Sequence, residues 1–171
     1  DLDGVPGDVL ARAKVLVVNY PNNPTGAIAD RAFFERAVAF AREHGLVLLS
    51  DLAYSELTYD GYVAPSIFEI DGAMDVAVEL HSCSKTFNMA GSRIGFAVGG
   101  RDLIDALHAV RTNMGYGTPV PIQAGAAYAL DHYKELEGPA VARYEARRNA
   151  LVEGFRSLGW NAKPPQATMF V

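Results

Sequence analysis

The sequence predicts an α/β domain: a mostly parallel sheet with helices on both faces and one antiparallel strand. Three observations carry this. Residues 14–20, 46–50 and 73–80 contain apolar runs, and each run releases a polar cluster at its carboxyl end. Between the first two, residues 30–45 have helical spacing, and strand–helix–strand at this distance is a right-handed crossover between parallel strands. A fourth apolar run, 94–99, follows the third after a short loop. A parallel return needs a dozen or more residues and usually a helix, so this strand is expected to run antiparallel.

The elements follow in order. Residues 14–20 are β-branched and apolar, and they end at Pro-Asn-Asn-Pro-Thr-Gly (21–26). In 30–45 the apolar positions 33, 34, 37, 38 and 40–41 recur at helical spacing, with Asp30 as N-cap and Gly45 as stop. The strand 46–50 ends at Asp-Leu-Ala-Tyr (51–54), and 55–71 is irregular, with Gly61, Pro65 and Gly72 as breakers. The third strand occupies 73–80. Residues 102–112 and 121–132 are expected as helices. A long helix over 133–158 is expected to be interrupted near Gly138-Pro139.

Chemistry concentrates at the three strand ends. Lys85 lies in His-Ser-Cys-Ser-Lys-Thr-Phe-Asn-Met-Ala-Gly-Ser-Arg (81–93), with Ser82, Ser84 and Arg93 on the same stretch. An amine can condense with an aldehyde, while hydroxyls and a guanidinium can hold a phosphate. The set suits a phosphorylated aldehyde cofactor. Ligands of open α/β sheets bind outside the carboxyl ends of the strands, so the three clusters are expected to converge. Each residue also has an ordinary reading. Lys85 could be a surface lysine. Asp51 could cap a turn and Tyr54 could pack over the sheet end, while Asn23-Pro24-Thr25-Gly26 is a good turn on local grounds. Cys83 reads as a small buried apolar contact, and Arg143, Arg147 and Arg148 read as a solvated helix face.

The segments NYPNNPTGA (19–27), SDLAYSELTYDGY (50–62) and HSCSKTFNMAGSRIGFAVGG (81–100) together resemble the pyridoxal-phosphate-dependent aminotransferases of fold type I, classes I and II. The wording is nearest to bacterial LL-diaminopimelate, alanine and aspartate aminotransferases. The resemblance implies pyridoxal 5'-phosphate as cofactor and Lys85 as the catalytic lysine that holds it and moves the substrate proton. It implies that Asp51 partners the pyridine nitrogen, that Tyr54 and Asn23 donate to the phenolic oxygen, and that Ser82 and Arg93 bind phosphate with Ser84 beside them. It further implies transamination between amino acid and 2-oxo acid substrates, a homodimer, and three regions. These are 1–135 as part of the large cofactor-binding domain, 136–160 as a linking helix and 161–171 as the start of a small domain. Relatives of the family are longer, and both ends of the chain read as interior sequence. A central portion of an enzyme, holding cofactor weakly and turning over little by itself, is therefore expected. Two alternatives share the motifs: a carbon–sulfur β-lyase or cyclopropane-carboxylate synthase on the same scaffold, and the aminotransferase-like sensor domain of a transcription regulator.

Composition excludes other classes. The 171 residues are 50% hydrophobic and 20% charged, which is ordinary for one globular domain. A net charge of −5 offers no overall field for nucleic acid. No stretch is apolar and long enough to span a bilayer. His44, His81, His108 and His132 are far apart, without metal-ligand spacing. The single Cys83 excludes an intrachain disulfide and fits a reducing compartment, hence a cytoplasmic location.

Overall fold

A computed structural model describes residues 1–136 and 138–171. Its centre is a four-stranded sheet in the order β1 (Val15–Asn19), β2 (Val47–Asp51), β3 (Ala77–Ser82), β4 (Gly95–Gly99). The pairs β1–β2 and β2–β3 are parallel, and β3–β4 is antiparallel. The mostly parallel sheet with one reversed strand is thus the one the sequence predicts. The helices are α1 (Gly7–Leu10), α2 (Arg31–Glu43), α3 (Cys83–Thr86), α4 (Arg101–Met114), α5 (Val120–Asp131), α6 (Tyr133–Leu136) and α7 (Gly138–Ser157). The interruption is expected near Gly138-Pro139; α6 ends at Leu136, α7 begins at Gly138, and Glu137 lies outside the described residues.

α2 forms because its apolar residues fall on one stripe, and it starts where Asp30 accepts a hydrogen bond from Phe33 N at 2.8 Å. Gly45, at φ 61°, takes the left-handed conformation that ends the helix. The stripe Phe34, Ala37, Val38 and Ala41 packs with Val18, Leu48 and Ala77 of the sheet and with Ile67, Ile70 and Ala73. This is the core. Phe34, Leu48 and Ile67 are almost fully enclosed, and emptying a site such as Phe34 costs about 3–5 kcal/mol. On the opposite face of β1, Val15 and Val17 are 49% and 62% exposed.

Two boundaries differ from expectation. The third strand begins at Ala77, because Ala73–Asp75 form a 3-10 turn entered through Gly72 at φ 80°. It also runs past the apolar residues to Ser82, because β4 pairs His81 with Phe96 and Ser82 with Gly95. Another 3-10 turn, Ile67–Glu69, lies in the stretch expected to be irregular. Gly95 is required by this pairing: a Cβ there would lie 2.4 Å from the His81 carbonyl oxygen. Gly91 meets no such neighbour.

Candidate active site

The sheet brings three polar strand ends side by side. Asn19 of β1 is in register with Asp51 of β2, which is in register with Leu80 of β3. Asn19 ties the first two ends together, since its Nδ2 donates to the Asp51 carbonyl at 3.0 Å. Its Oδ1 accepts from Asn23 N at 2.9 Å and from Asn22 Nδ2 at 3.2 Å. Asn22 then closes the turn by accepting from Thr25 Oγ1 at 2.6 Å and, through its carbonyl, from Gly26 N at 2.9 Å. The peptide bonds before Pro21 and Pro24 are cis. Asn19 organises this loop, yet the sequence reading passed over it. Its position at the last residue of a strand was the available signal.

Asp51 is half-buried at the end of β2 and accepts from Ala53 N at 3.2 Å. Tyr54 follows and is 5% exposed. Burial raises the Tyr54 phenol above its ordinary value, the Asp51 charge raises it further, and a hydrogen bond with the Asn23 side chain acts the other way. The phenol is therefore a protonated donor at neutral pH. Lys85 Nζ lies 5.8 Å from the centre of the Tyr54 ring. Asn23, Asp51, Tyr54 and Lys85 are thus brought together from β1, β2 and β3.

Of the residues expected to bind phosphate, Ser82 and Ser84 lie on the Lys85 turn, and Arg93 follows the 3-10 turn Ala90–Ser92. Lys85 stands on the one-turn helix α3 rather than on irregular loop. Ser82 caps that helix, its Oγ accepting from Ser84 N at 3.2 Å, and Ser84 is buried. Arg93 has left-handed backbone, φ 52°, and its Nη1 donates to the Ala90 carbonyl at 3.2 Å, with the side chain exposed. Cys83 is buried, as expected, and burial raises its thiol. A cleft of about 610 Å³ beside Cys83 is lined by Phe96, His108, Arg111 and Leu130; it does not include Lys85 or Tyr54. Among the described residues no group of three or more His, Cys, Asp or Glu could hold a metal, and no helix is long and apolar enough to cross a membrane.

A further wall was not foreseen. Segment 165–170 crosses the loops that follow β1 and β2. A Cβ on Gly26 would lie 3.2 Å from Pro165 Cβ and 3.6 Å from Thr168 Oγ1, and the Phe170 ring meets the Tyr54 ring edge-on at 5.9 Å between centroids. Arg148 of α7 pins this segment. Contrary to the solvated reading, Arg148 is 6% exposed. Its Nη1 donates to Asp60 at 2.6 Å and to the Pro165 carbonyl at 3.0 Å, and its Nη2 donates to Asp60 at 3.1 Å. Helical spacing alone could not reveal a partner so distant in sequence.

This arrangement offers one amine, one carboxylate, one protonated phenol and one amide near one another. Such a set can bind an aldehyde covalently and hold a charged aromatic ring in a fixed pose.

The family model described as aminotransferase class I and II matches residues 1–171. LL-diaminopimelate aminotransferase 2 of Trichormus variabilis is 51% identical over the whole chain, which spans 44% of that relative. LL-diaminopimelate aminotransferase of Moorella thermoacetica is 46% identical with the same coverage. Among solved structures, apo-BacF from Bacillus subtilis superposes with a TM-score of 0.91 at 37% identity, covering 99% of this chain and 43% of that one. N-succinyldiaminopimelate aminotransferase from Mycobacterium tuberculosis gives 0.89 at 27% identity, covering 98% of this chain and 44% of that one. The chain therefore spans less than half the length of these relatives. Matched along its whole length, it belongs to the aminotransferase class I and II family.

Proposed function

We propose that this chain carries the cofactor-binding centre of a pyridoxal-phosphate-dependent aminotransferase that works between an amino acid and a 2-oxo acid. The observation that carries the reading is the meeting of Lys85 with Tyr54, Asp51 and Asn23 at one end of the sheet. These groups fit the cofactor's chemistry: an amine for its aldehyde, an acid for its ring nitrogen, and two donors for its phenolic oxygen. When bound, the cofactor supplies a ring that withdraws negative charge from the substrate α-carbon.

The chain's own residues do the rest. Lys85 would hold the cofactor through its amine, and its Nζ, once free, would carry the proton from the substrate α-carbon to the cofactor. Asp51 keeps the ring nitrogen protonated. Tyr54 and Asn23 would donate to the phenolic oxygen. Ser82, Ser84 and Arg93 hold the phosphate, with the guanidinium turning from Ala90 to do so. The names of the relatives support an amino acid of the diaminopimelate type as substrate. A homodimer, a cytoplasmic location and α7 as the link between a large and a small domain complete this reading.

Borohydride reduction of the cofactor-loaded protein followed by peptide mapping tests it. A pyridoxyl group on Lys85 is expected; a reduced adduct on any other residue overturns the assignment. Lys85→Ala should lower keto-acid production by at least about a hundredfold. Release of pyruvate and ammonia in place of a transamination product would point to a lyase instead.

A further inference from the structure

Arg148 is a buried cation that the proposed chemistry does not use. It is 6% exposed and forms a two-pronged ion pair with Asp60. Glu145 lies 3.6 Å away on the same helix, and the guanidinium stacks over the Tyr59 ring at 4.7 Å from its centre. Asp60 has a left-handed backbone, φ 57°, a conformation costly for a residue other than glycine unless its surroundings hold it.

A run of hydrogen bonds leads from this clamp to the site. The Tyr59 hydroxyl donates to the Thr168 carbonyl at 2.7 Å, and Tyr59 N donates to the Gln166 carbonyl at 2.9 Å. Thr168 N donates to the Leu57 carbonyl at 2.8 Å, and Leu57 N donates to the Tyr54 carbonyl at 3.2 Å. Tyr54, Leu57, Tyr59, Ala167 and Thr168 are all 5% exposed or less. The same segment carries Phe170 onto the Tyr54 ring.

Building on the cofactor reading above, we propose that Arg148 is a positioning residue for Tyr54: by clamping Asp60 and Pro165 it sets the pose of the phenol that donates to the cofactor's oxygen. α7 is thereby coupled to the cofactor without touching it. A hydrogen bond to the charged form of a group favours that form. Tyr54 donating to the phenolic oxygen favours its anion and lowers the proton affinity of the nitrogen beside it. A loosened Tyr54 raises that affinity.

The test follows the pH titration of the bound cofactor's visible absorbance, with the cofactor dissociation constant and thermal midpoint, in the loaded protein. Arg148→Lys cannot make the two-pronged contact, and Asp60→Asn removes the charge with little change of shape. Each should move the absorbance midpoint upward by about 0.5 pH unit or more, in the direction of Tyr54→Phe, and weaken cofactor binding by about threefold or more. Adding Arg148→Lys to Tyr54→Phe should produce little further shift, because the two act through one group. Phe34→Leu, in the core under α2, serves as the destabilised control that lowers the thermal midpoint alone. The inference is overturned if Arg148→Lys and Asp60→Asn behave like Phe34→Leu, or if the shifts of Arg148→Lys and Tyr54→Phe add. Absence of both the absorbance band and the Lys85 adduct in the unsubstituted protein overturns the cofactor reading and this inference together. A normal band indifferent to Arg148→Lys overturns the inference alone.

Discussion

Glu79 shows what a single residue does in this molecule. It is 1% exposed, on the core side of β3, and its carboxylate accepts from Ser66 Oγ at 2.9 Å, from Ile67 N at 2.7 Å and lies 2.9 Å from His81 Nε2. One acid thus joins the 3-10 turn at Ile67 to the strand that delivers Ser82 and Lys85. His81 is held from its other side by stacking on Phe96, 4.8 Å between centroids. Glu79→Leu takes the acceptor from these partners, and the buried Ile67 N–H left orphaned costs about 1–3 kcal/mol. Urea unfolding should show a loss of about 2 kcal/mol or more for Leu and a distinctly smaller loss for Gln, which keeps one acceptor oxygen. Equal losses would mean that the hydrogen bonds are incidental. Glu79 and Arg148 share a reason for being illegible in the sequence. Their burial depends on partners supplied by the fold, and Asp60 is 88 positions from Arg148. Lys85, Asp51 and Tyr54 were legible because they follow apolar strands directly, where ligands of such sheets bind.

At the scale of elements, local signals and pairing signals part company. α2 was readable at both ends because its cap and its stop are local: Asp30 bonds Phe33 N, and Gly45 adopts the left-handed turn. Asp30→Ala should therefore lower stability by about 1 kcal/mol in a thermal melt and leave cofactor affinity unchanged. β3 was misread at both ends because its limits are set by neighbours. Hydropathy stops at Leu80, yet hydrogen bonding with β4 carries the strand through His81 and Ser82. This extension places the Lys85 turn, so it is the element on which the site depends most. Gly95→Ala would drive a Cβ to 2.4 Å from the His81 carbonyl. The two strands must separate there, and the turn from Ser82 to Lys85 must move with them. Both the melting temperature and cofactor affinity are expected to fall, in contrast to Asp30→Ala. A Gly95→Ala protein that binds cofactor normally would show that the turn is positioned by something other than β4.

Across the molecule, contacts of long reach converge on one knot, where Tyr59 bonds Thr168, 109 positions away, and Arg148 grips Asp60. The order of strands, and the reversal of β4, could be argued from spacing along the chain; this knot could not, because no local pattern encodes it. It gives the protein a pH signature whose sign follows from two ionisations. The hydrogen bond from Arg148 holds the Asp60 carboxyl below its ordinary value. A depressed acid stabilises the fold above its unfolded value, about 3.9, and that contribution is lost as pH falls through the lower folded value. Burial pushes the Tyr59 phenol up to about 12. A raised phenol contributes stability in full below its unfolded value, about 10, and that contribution fades as pH climbs toward the folded value. The knot therefore supports the fold between roughly pH 4 and pH 10 and weakens on either side. Melting temperature followed against pH should show Asp60→Asn flattening the acid limb while leaving the alkaline limb intact. Tyr59→Phe should do the reverse, because a ring without a hydroxyl has no proton to lose. If the acid limb of Asp60→Asn coincides with that of the unsubstituted protein, acid sensitivity arises from other carboxylates, and the Arg148 clamp contributes nothing that protonation can remove.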